Sequence, residues 1–374
     1  MKKLLSMFFI LCLLLAAVPG LSEAAEAPSL PGLTWVETLP LTFATEFRVD
    51  YYEGGYKLLT IGDGNRYLVV PEDGRAPERL DGDIRVLQQP LDRIYMAATS
   101  VMSLFDAVDG LDAIALSGTK ADGWAIESAV KAMEEGRIAY AGKYSEPDYE
   151  LLLGSGCDLA IESTMILHTP QVRDMIEQLG IPVFIDRSSY EDHPLGRTEW
   201  VKLYGALLNR EDQAAAFFEN QAKVIEDLKD FPNTEKTVAF FYLSSDGSAV
   251  VRSTSDYVPV MIELAGGRYV FRDALESTDA RSSVSLTMEE FYAAAVDADY
   301  LIYNSNIDAG VSSIADLMGK SPLFADFRAV KSGDVWLTDS ALYQATGTVG
   351  QFILDIHRML TGDAGEMTFL RKLG

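Results

Sequence analysis

The sequence predicts an α/β protein of two Rossmann-like lobes, each built on a parallel sheet, joined by a single long α-helix with a cleft between the lobes. Three observations lead there. From Ile94 onward, short apolar runs recur about every twenty residues with amphipathic stretches between them, as buried parallel strands and their crossover helices do. Two helical stretches then follow one another with no strand between, the second running to about Leu228. After Phe231-Pro232 the strand and helix pattern resumes. A chain of 374 residues also suits two cores better than one.

Residues 1–24 read as a secretory signal peptide. Lys2 and Lys3 precede an apolar run from Leu4 to Val18, Pro19-Gly20 breaks it, and Ser22-Glu23-Ala24 supplies small residues at a cleavage site. The run falls short of the roughly 20 apolar residues a spanning helix needs. Cys12 lies inside it, and Phe9-Ile10-Leu11 makes no lipobox. The chain is therefore expected to be exported, to a periplasm or to the outer face of the cytoplasmic membrane. Cleavage leaves Cys157 as the sole thiol, so no internal disulfide can form, and its apolar flanks suggest a buried, inert side chain. The mature chain carries 29 basic and 55 acidic residues, once Lys2, Lys3 and Glu23 are removed from the 31 and 56 of the whole. A net charge of that sign repels nucleic acid and anionic lipid surfaces.

Residues 25–90 form a linker and an N-terminal β-hairpin region. Residues 25–40, rich in Ala, Pro and Leu, read as the linker. Strands over Thr42–Tyr52 and Tyr56–Ile61 flank Glu53-Gly54-Gly55, and Gly62-Asp63-Gly64-Asn65 turns into Tyr67–Val70. Tyr51, Tyr52 and Tyr56 are expected to pack, and residues 72–90 to be loop. The N-terminal lobe, 91–208, takes its strands from Ile94–Ala98, Ala113–Leu116, Ile138–Tyr140, Leu159–Ile161 and Val183–Ile185. Helices share the apolar faces Val101/Leu104/Phe105/Val108 and Val172/Ile176/Leu179. The spanning helix, 209–231, follows Asn209 as a candidate N-cap, and about twenty helical residues reach about 30 Å. In the C-terminal lobe, 232–374, strands are expected at Val238–Leu243, Val250–Arg252, Tyr300–Tyr303 and Val335–Leu337. Helices are expected at Val258–Leu264, Met288–Ala295 and Val349–Leu360, the first ending in Gly266-Gly267.

The chain lacks a G-x-S-x-G elbow, a phosphate-loop motif, an H-E-x-x-H pair and a C-x-x-C pair. Gly154-Ser155-Gly156 precedes a strand instead of following one and lacks a third glycine. His168 and His193 fall in loops after first-lobe strands, where they would reach a metal ion or simply meet solvent. His357 is expected at the surface near the end of the last helix.

Four segments carry a family resemblance. "GKYSEPDYELLLGSGCDLAIES" (142–163), "LGIPVFID" (179–186), "LYGALLNREDQAAAFF" (203–218) and "SLTMEEFYAAAVDADYLIY" (285–303) resemble the iron-siderophore, heme and vitamin B12 binding proteins of ABC importers. They stand in the family's order, over about residues 90 to 360. Where the family's strand motif reads PDLVI, this chain has Cys157-Asp158-Leu159-Ala160-Ile161, so the usual proline is missing. The resemblance implies a monomeric, non-enzymatic solute carrier with no resident cofactor, whose ligand is a ferric chelate, heme or cobalamin. It also implies a permease partner, driven by an ATPase and met by one exposed glutamate per lobe: Glu150 in the first, and Glu289 or Glu290 in the second.

In α/β sheets ligands sit beyond the carboxyl ends of the strands. The ligand candidates are therefore Ser100, Lys143, Tyr144, Thr164, Met165 and Tyr190 in the first lobe, and Ser245, Arg252, Tyr257, Arg281 and Tyr343 in the second. Aromatic rings would pack on a bulky ligand, and arginines would pair with its negative charge. Two other readings stay open: a free zinc or manganese binder, which requires His168 and His193 to converge on one ion, and an exported enzyme built around raised-pKa carboxylates.

Overall fold

A computed structural model of the chain describes residues 27–228, 231–273, 283–363 and 365–374. The signal-peptide residues and Arg281 lie outside the described residues. Among the described residues the strands form three main sheets and one two-stranded ribbon.

The N-terminal sheet runs in chain order: β1 (Trp35–Thr38), β2 (Phe47–Tyr52), β3 (Tyr56–Ile61), β4 (Arg66–Val70) and β5 (Ile84–Gln88). The pairings are antiparallel except β4–β5, which is parallel. Two elements differ from expectation: β1 lies inside the expected linker, and β5 inside the expected loop. Both are short and end in polar residues, so a window over their neighbours hides them. Alternation explains the packing. Phe47, Val49, Leu59, Ile61, Tyr67 and Val69 face the main core, while Tyr52, Leu58, Leu68, Val70 and Ile84 build a small core on the other side. Tyr52 and Tyr56 pack as expected, their hydroxyls donating to Pro28 O at 2.6 Å and Arg75 O at 2.9 Å.

The first-lobe sheet comprises β6 (Ile94–Met96), β7 (Ile114–Ser117) and β8 (Ala139–Tyr140). After the ribbon β9 (Gly142–Lys143) and β10 (Glu146–Pro147) it continues with β11 (Leu159–Ser163) and β12 (Val183–Asp186). Its order is β12-β11-β6-β7-β8, all parallel. Ile94, Met96, Leu159 and Ile161 turn to the main core. Tyr95, Ala160, Val183 and Ile185 turn to a second core. Both faces are covered, which is why the strands read as unbroken apolar runs. The crossover helices are α1 (Met102–Asp106), α2 (Glu127–Glu134), α3 (Tyr149–Gly154) and α4 (Pro170–Gln178). Cys157 is buried beside the second core, its thiol pushed up to about 11 by burial.

Two helices then pack against each other: α5 (Pro194–Leu208) and α6 (Glu211–Leu228). Asn209 does not start α6. It closes α5 in the left-handed conformation, φ 57° and ψ 42°, a role Asn tolerates almost as readily as N-capping. Close approach at the corner demands glycine, since a Cβ on Gly205 would stand 2.5 Å from the Ala214 Cβ. Buried α5 also anchors the N-terminal sheet. The Glu199 carboxylate accepts the N–H groups of Thr42, Phe43 and Ala44 at 2.7–3.1 Å. Glu191 accepts those of Thr45 and Glu46 at 2.8 and 3.0 Å. Lys57, 5% exposed, donates to Ala206 O, Asn209 Oδ1 and Glu211 Oε1 at 2.6–2.7 Å.

The second lobe is built on β13 (Thr237–Leu243), β14 (Ala249–Arg252), β15 (Arg268–Tyr269), β16 (Ser283–Leu286), β17 (Tyr300–Tyr303), β18 (Val335–Thr338) and β19 (Leu370–Lys372). Its helices are α7 (Tyr257–Leu264), α8 (Met288–Ala295), α9 (Ile314–Lys320), α10 (Arg328–Ser332) and α11 (Val349–Thr361). The strand order is β16-β14-β13-β17-β18-β19, with β15 also on β13. This sheet has a parallel centre and antiparallel flanks. The expectation of a wholly parallel sheet is corrected: the loop from β13 to β14 is too short for a crossover and forces an antiparallel pair. His357 is buried, not at the surface, with Nδ1 3.0 Å from Ala265 O. The helix α6 spans the lobes. Its first half meets α5, while a Cβ on Gly350 of α11 would stand 3.3 Å from Gln221 O and 3.5 Å from Val224 Cβ.

Candidate functional site

Beyond β12 the chain turns through Ser188–Tyr190 and enters α5 with Pro194 in its first turn. His193 caps that helix, its Nδ1 accepting Leu195 N–H at 3.1 Å, and its ring stacks on Phe43 at 4.5 Å. Burial lowers its pKa. His193 is thus committed to structure. Among the described residues no group of three or more His, Cys, Asp or Glu side chains is placed to hold a metal ion.

Arg197 follows on the next turn. It is 7% exposed, and its guanidinium lies over the Tyr257 ring, 3.9 Å from the centroid. Tyr257 begins α7 in the second lobe, just after Asp256, which caps that helix through Val258 N–H at 2.9 Å. With Met261, Leu342, Tyr343, Thr346, Val349 and Phe352, Arg197 and Tyr257 line a cavity between the lobes.

A polar network surrounds this cavity. The Tyr343 hydroxyl accepts from Arg252 Nη2 and, at 2.6 Å, from Asn304 Nδ2. Burial outweighs the nearby Arg252 charge and pushes the Tyr343 phenol up to about 12. Arg252 also pairs with Asp256 at 3.6 Å. Asp186, at the end of β12, is buried and accepts from Ser188 Oγ at 2.7 Å, Tyr204 Oη at 2.8 Å and Ser100 Oγ at 3.4 Å. Burial raises the Asp186 and Asp256 carboxyls above the ordinary carboxylate range, while the arginine charges pull them back. The segment after β18 closes the floor. Gln344 accepts Ala125 N–H and donates to Gly123 O, both at 2.8 Å. Thr198 Oγ1 donates to Thr346 O at 3.0 Å, and Gly347 N–H to Ser103 Oγ at 3.2 Å.

The structure brings Arg252, Tyr257 and Tyr343 into one cluster and sets Ser100 against Asp186. Of these only Tyr257 and Tyr343 line the cavity, Arg252 reaching it through the Tyr343 hydroxyl; the other candidates lie elsewhere. Lys143 pairs with Glu146 in an exposed ion pair at 3.2 Å, and Tyr144 packs against the second core of the first lobe. Thr164 and exposed Met165 stand on the helical turn after β11. Tyr190, half exposed, stacks under Arg187 at 4.1 Å. Ser245 is exposed at the tip of the β13–β14 loop, and His168 is exposed after β11. Arg197, Asp186 and Asn304 are missed by the sequence reading. Arg197 offered no distinct signal, since Glu191, Asp192, Thr198, Glu199 and Lys202 surround it in sequence and make it read as one more surface charge.

The glutamates divide clearly. Glu150 is exposed on the first turn of α3, next to the N-cap Asp148. Glu290 is occupied by a capping box: its carboxylate accepts Thr287 N–H at 2.8 Å and Thr287 Oγ1 at 3.0 Å, which lowers its pKa. Glu289, beside it, is exposed.

Residues 97–342 match the family model described as periplasmic binding protein. The chain belongs to the periplasmic binding protein family. The match begins after the N-terminal sheet. This binding protein is 26% identical over 307 residues to an uncharacterised lipoprotein of Methanocaldococcus jannaschii, covering 77% of this chain and 70% of that one. Its fold is shared with the periplasmic heme-binding protein HutB of Vibrio cholerae, at 18% identity and a TM-score of 0.59, covering 73% of this chain and 99% of HutB. It is shared too with a protein of the ABC-type Fe3+-hydroxamate transport system from Saccharomonospora viridis, at 18% identity and a TM-score of 0.54, covering 72% of this chain and 93% of that one. The binding protein has no helix among the described residues long and apolar enough to cross a membrane.

Proposed function

We propose that this binding protein is exported, holds a metal-chelate solute (a ferric chelate, heme or cobalamin) in the groove between its lobes, and hands it to an ABC permease without transforming it. One observation carries the reading: side chains from both lobes, Arg197 from the first and Tyr257 and Tyr343 from the second, line one small cavity at the strand ends, with Arg252 donating to the Tyr343 hydroxyl behind it. Aromatic faces suit a bulky, flat or greasy chelate, and guanidinium groups suit its anionic oxygens. Titration with ferric siderophores, hemin and cobalamin, followed by tryptophan fluorescence, tests the assignment. Trp124, buried beside the Gln344 contact, is a suitable reporter. Saturable quenching by one class is the expected outcome, and silence from all three rejects the chelate assignment.

Docking is assigned to Glu150 and Glu289, one exposed carboxylate per lobe, meeting cationic residues of the permease. The capping bonds of Glu290, both made by its Oε2, favour Glu289 over Glu290 for that role. E150A and E289A should each leave solute affinity unchanged and reduce uptake in reconstituted vesicles, whereas undiminished uptake by the double variant would refute the assignment.

A further inference from the structure

Two described arginines, Arg197 in the cavity lining and Arg252 behind Tyr343, differ in one respect. Arg252 spends its donors on the Tyr343 hydroxyl and its charge on Asp256. Arg197, more than nine-tenths buried, makes no hydrogen bond to a described residue and has no carboxylate of a described residue within ion-pair distance. Its Nε is fully buried without an acceptor. A guanidinium carries five N–H donors and cannot shed its proton, so burying it unpaired is costly unless something else supplies the acceptors. The Tyr257 ring holds its plane from one face, and the side chain lines the inter-lobe cavity. Asp186 and Asp256, one on each lobe, act on it through space and offset its charge without using its donors.

We propose that Arg197 receives an anionic oxygen pair of the solute, and that the solute is therefore a carboxylate-bearing chelate and not a neutral one. This rests on the reading of the chain as a chelate carrier. A planar fork stacked on an aromatic ring is preset for two parallel hydrogen bonds to one carboxylate. Solute entry supplies the acceptors that the Arg197 donors lack, and the ring of Tyr257 keeps the fork from swinging away when the groove is empty.

The test compares hemin and ferric citrate, which carry carboxylates, with a neutral ferric trihydroxamate chelate, on the whole mature protein. The expected result is that the wild type favours a carboxylate-bearing probe and that R197Q weakens it roughly 10- to 100-fold, the loss of a charge-assisted bidentate pair. R197K should fall between the two, keeping the charge without the fork. The dimethyl ester of hemin offers a ligand-side check that needs no variant, and its affinity for the wild type should drop by a similar factor. Preference of the wild type for the neutral chelate overturns the proposal, as does equal binding of hemin and its ester or of R197Q and wild type. Binding of cobalamin alone overturns this inference and leaves the carrier reading standing; if the wild type binds neither these probes nor cobalamin, the carrier reading itself fails, and this inference with it.

Discussion

Glu162 stands on β11 fully buried, with neither carboxyl oxygen hydrogen-bonded to a described residue. Burial raises its pKa well above the ordinary glutamate range. The fold thus favours the protonated form, so Glu162's contribution to stability is fully present at acidic pH. It is lost as the pH climbs from the ordinary range toward the folded-state value. E162Q should therefore be more stable than wild type at pH 8 by about 1–3 kcal/mol, and nearly equal to it at pH 4. Thermal melts across that range check this; a pH-independent difference would contradict it. Cys157 gives a second residue-scale expectation. With its thiol raised by burial, native protein at pH 7.5 should resist iodoacetamide, and unfolded protein should react at once. The burial of Cys157 was legible from its apolar neighbours. The isolation of Glu162 was not, because which carboxyl lacks a partner depends on the other faces packed around the strand.

At the scale of elements, α8 separates structural from functional acid groups. T287A removes the cap and should cost about 1 kcal/mol, read as a lowered denaturation midpoint, with docking unaffected. E289A should do the reverse. The α5 anchor is stronger. E199A strips the acceptor from the N–H groups of Thr42, Phe43 and Ala44 and leaves Lys202, its partner at 2.7 Å, unpaired. It should cost about 3 kcal/mol and expose the segment before β2 to limited proteolysis; an unchanged midpoint would show that the segment is held by its apolar contacts alone. Strands with both faces buried and helices with clean apolar stripes were readable, because each imposes its own period. The α5 helix was harder. Nearly all its residues are buried, charged ones included, so its amphipathic signal is weak and its N-terminal half, with Arg197, stayed hidden in the sequence. The left-handed turn at Asn209 was misread because one residue type serves both helix ends.

For the whole molecule, the two-lobed plan followed from the order of strands and helices, and the mixed second sheet did not, since the connection length that decides strand direction is a property of the loop, not of the strands. The lobes are tied by α6 and by the Gln344, Thr198 and Ser103 hydrogen bonds at the floor of the groove. A helix bends little, so solute capture should leave the small-angle scattering curve almost unchanged, whereas a marked contraction on loading would indicate hinge closure instead.

One apolar body runs through all of this without a break. It reaches from Phe47 and Leu59 of the N-terminal sheet, through Trp200 and Leu207 of α5 and Phe218 of α6, to Phe240 and Phe352 of the second lobe. The halves are consequently poor building blocks for grafting or exchange. A fragment cut after α5 would bare the faces that Ala214, Phe218 and Ile225 cover, and calorimetry of the intact chain should register a single melting peak despite its several sheets.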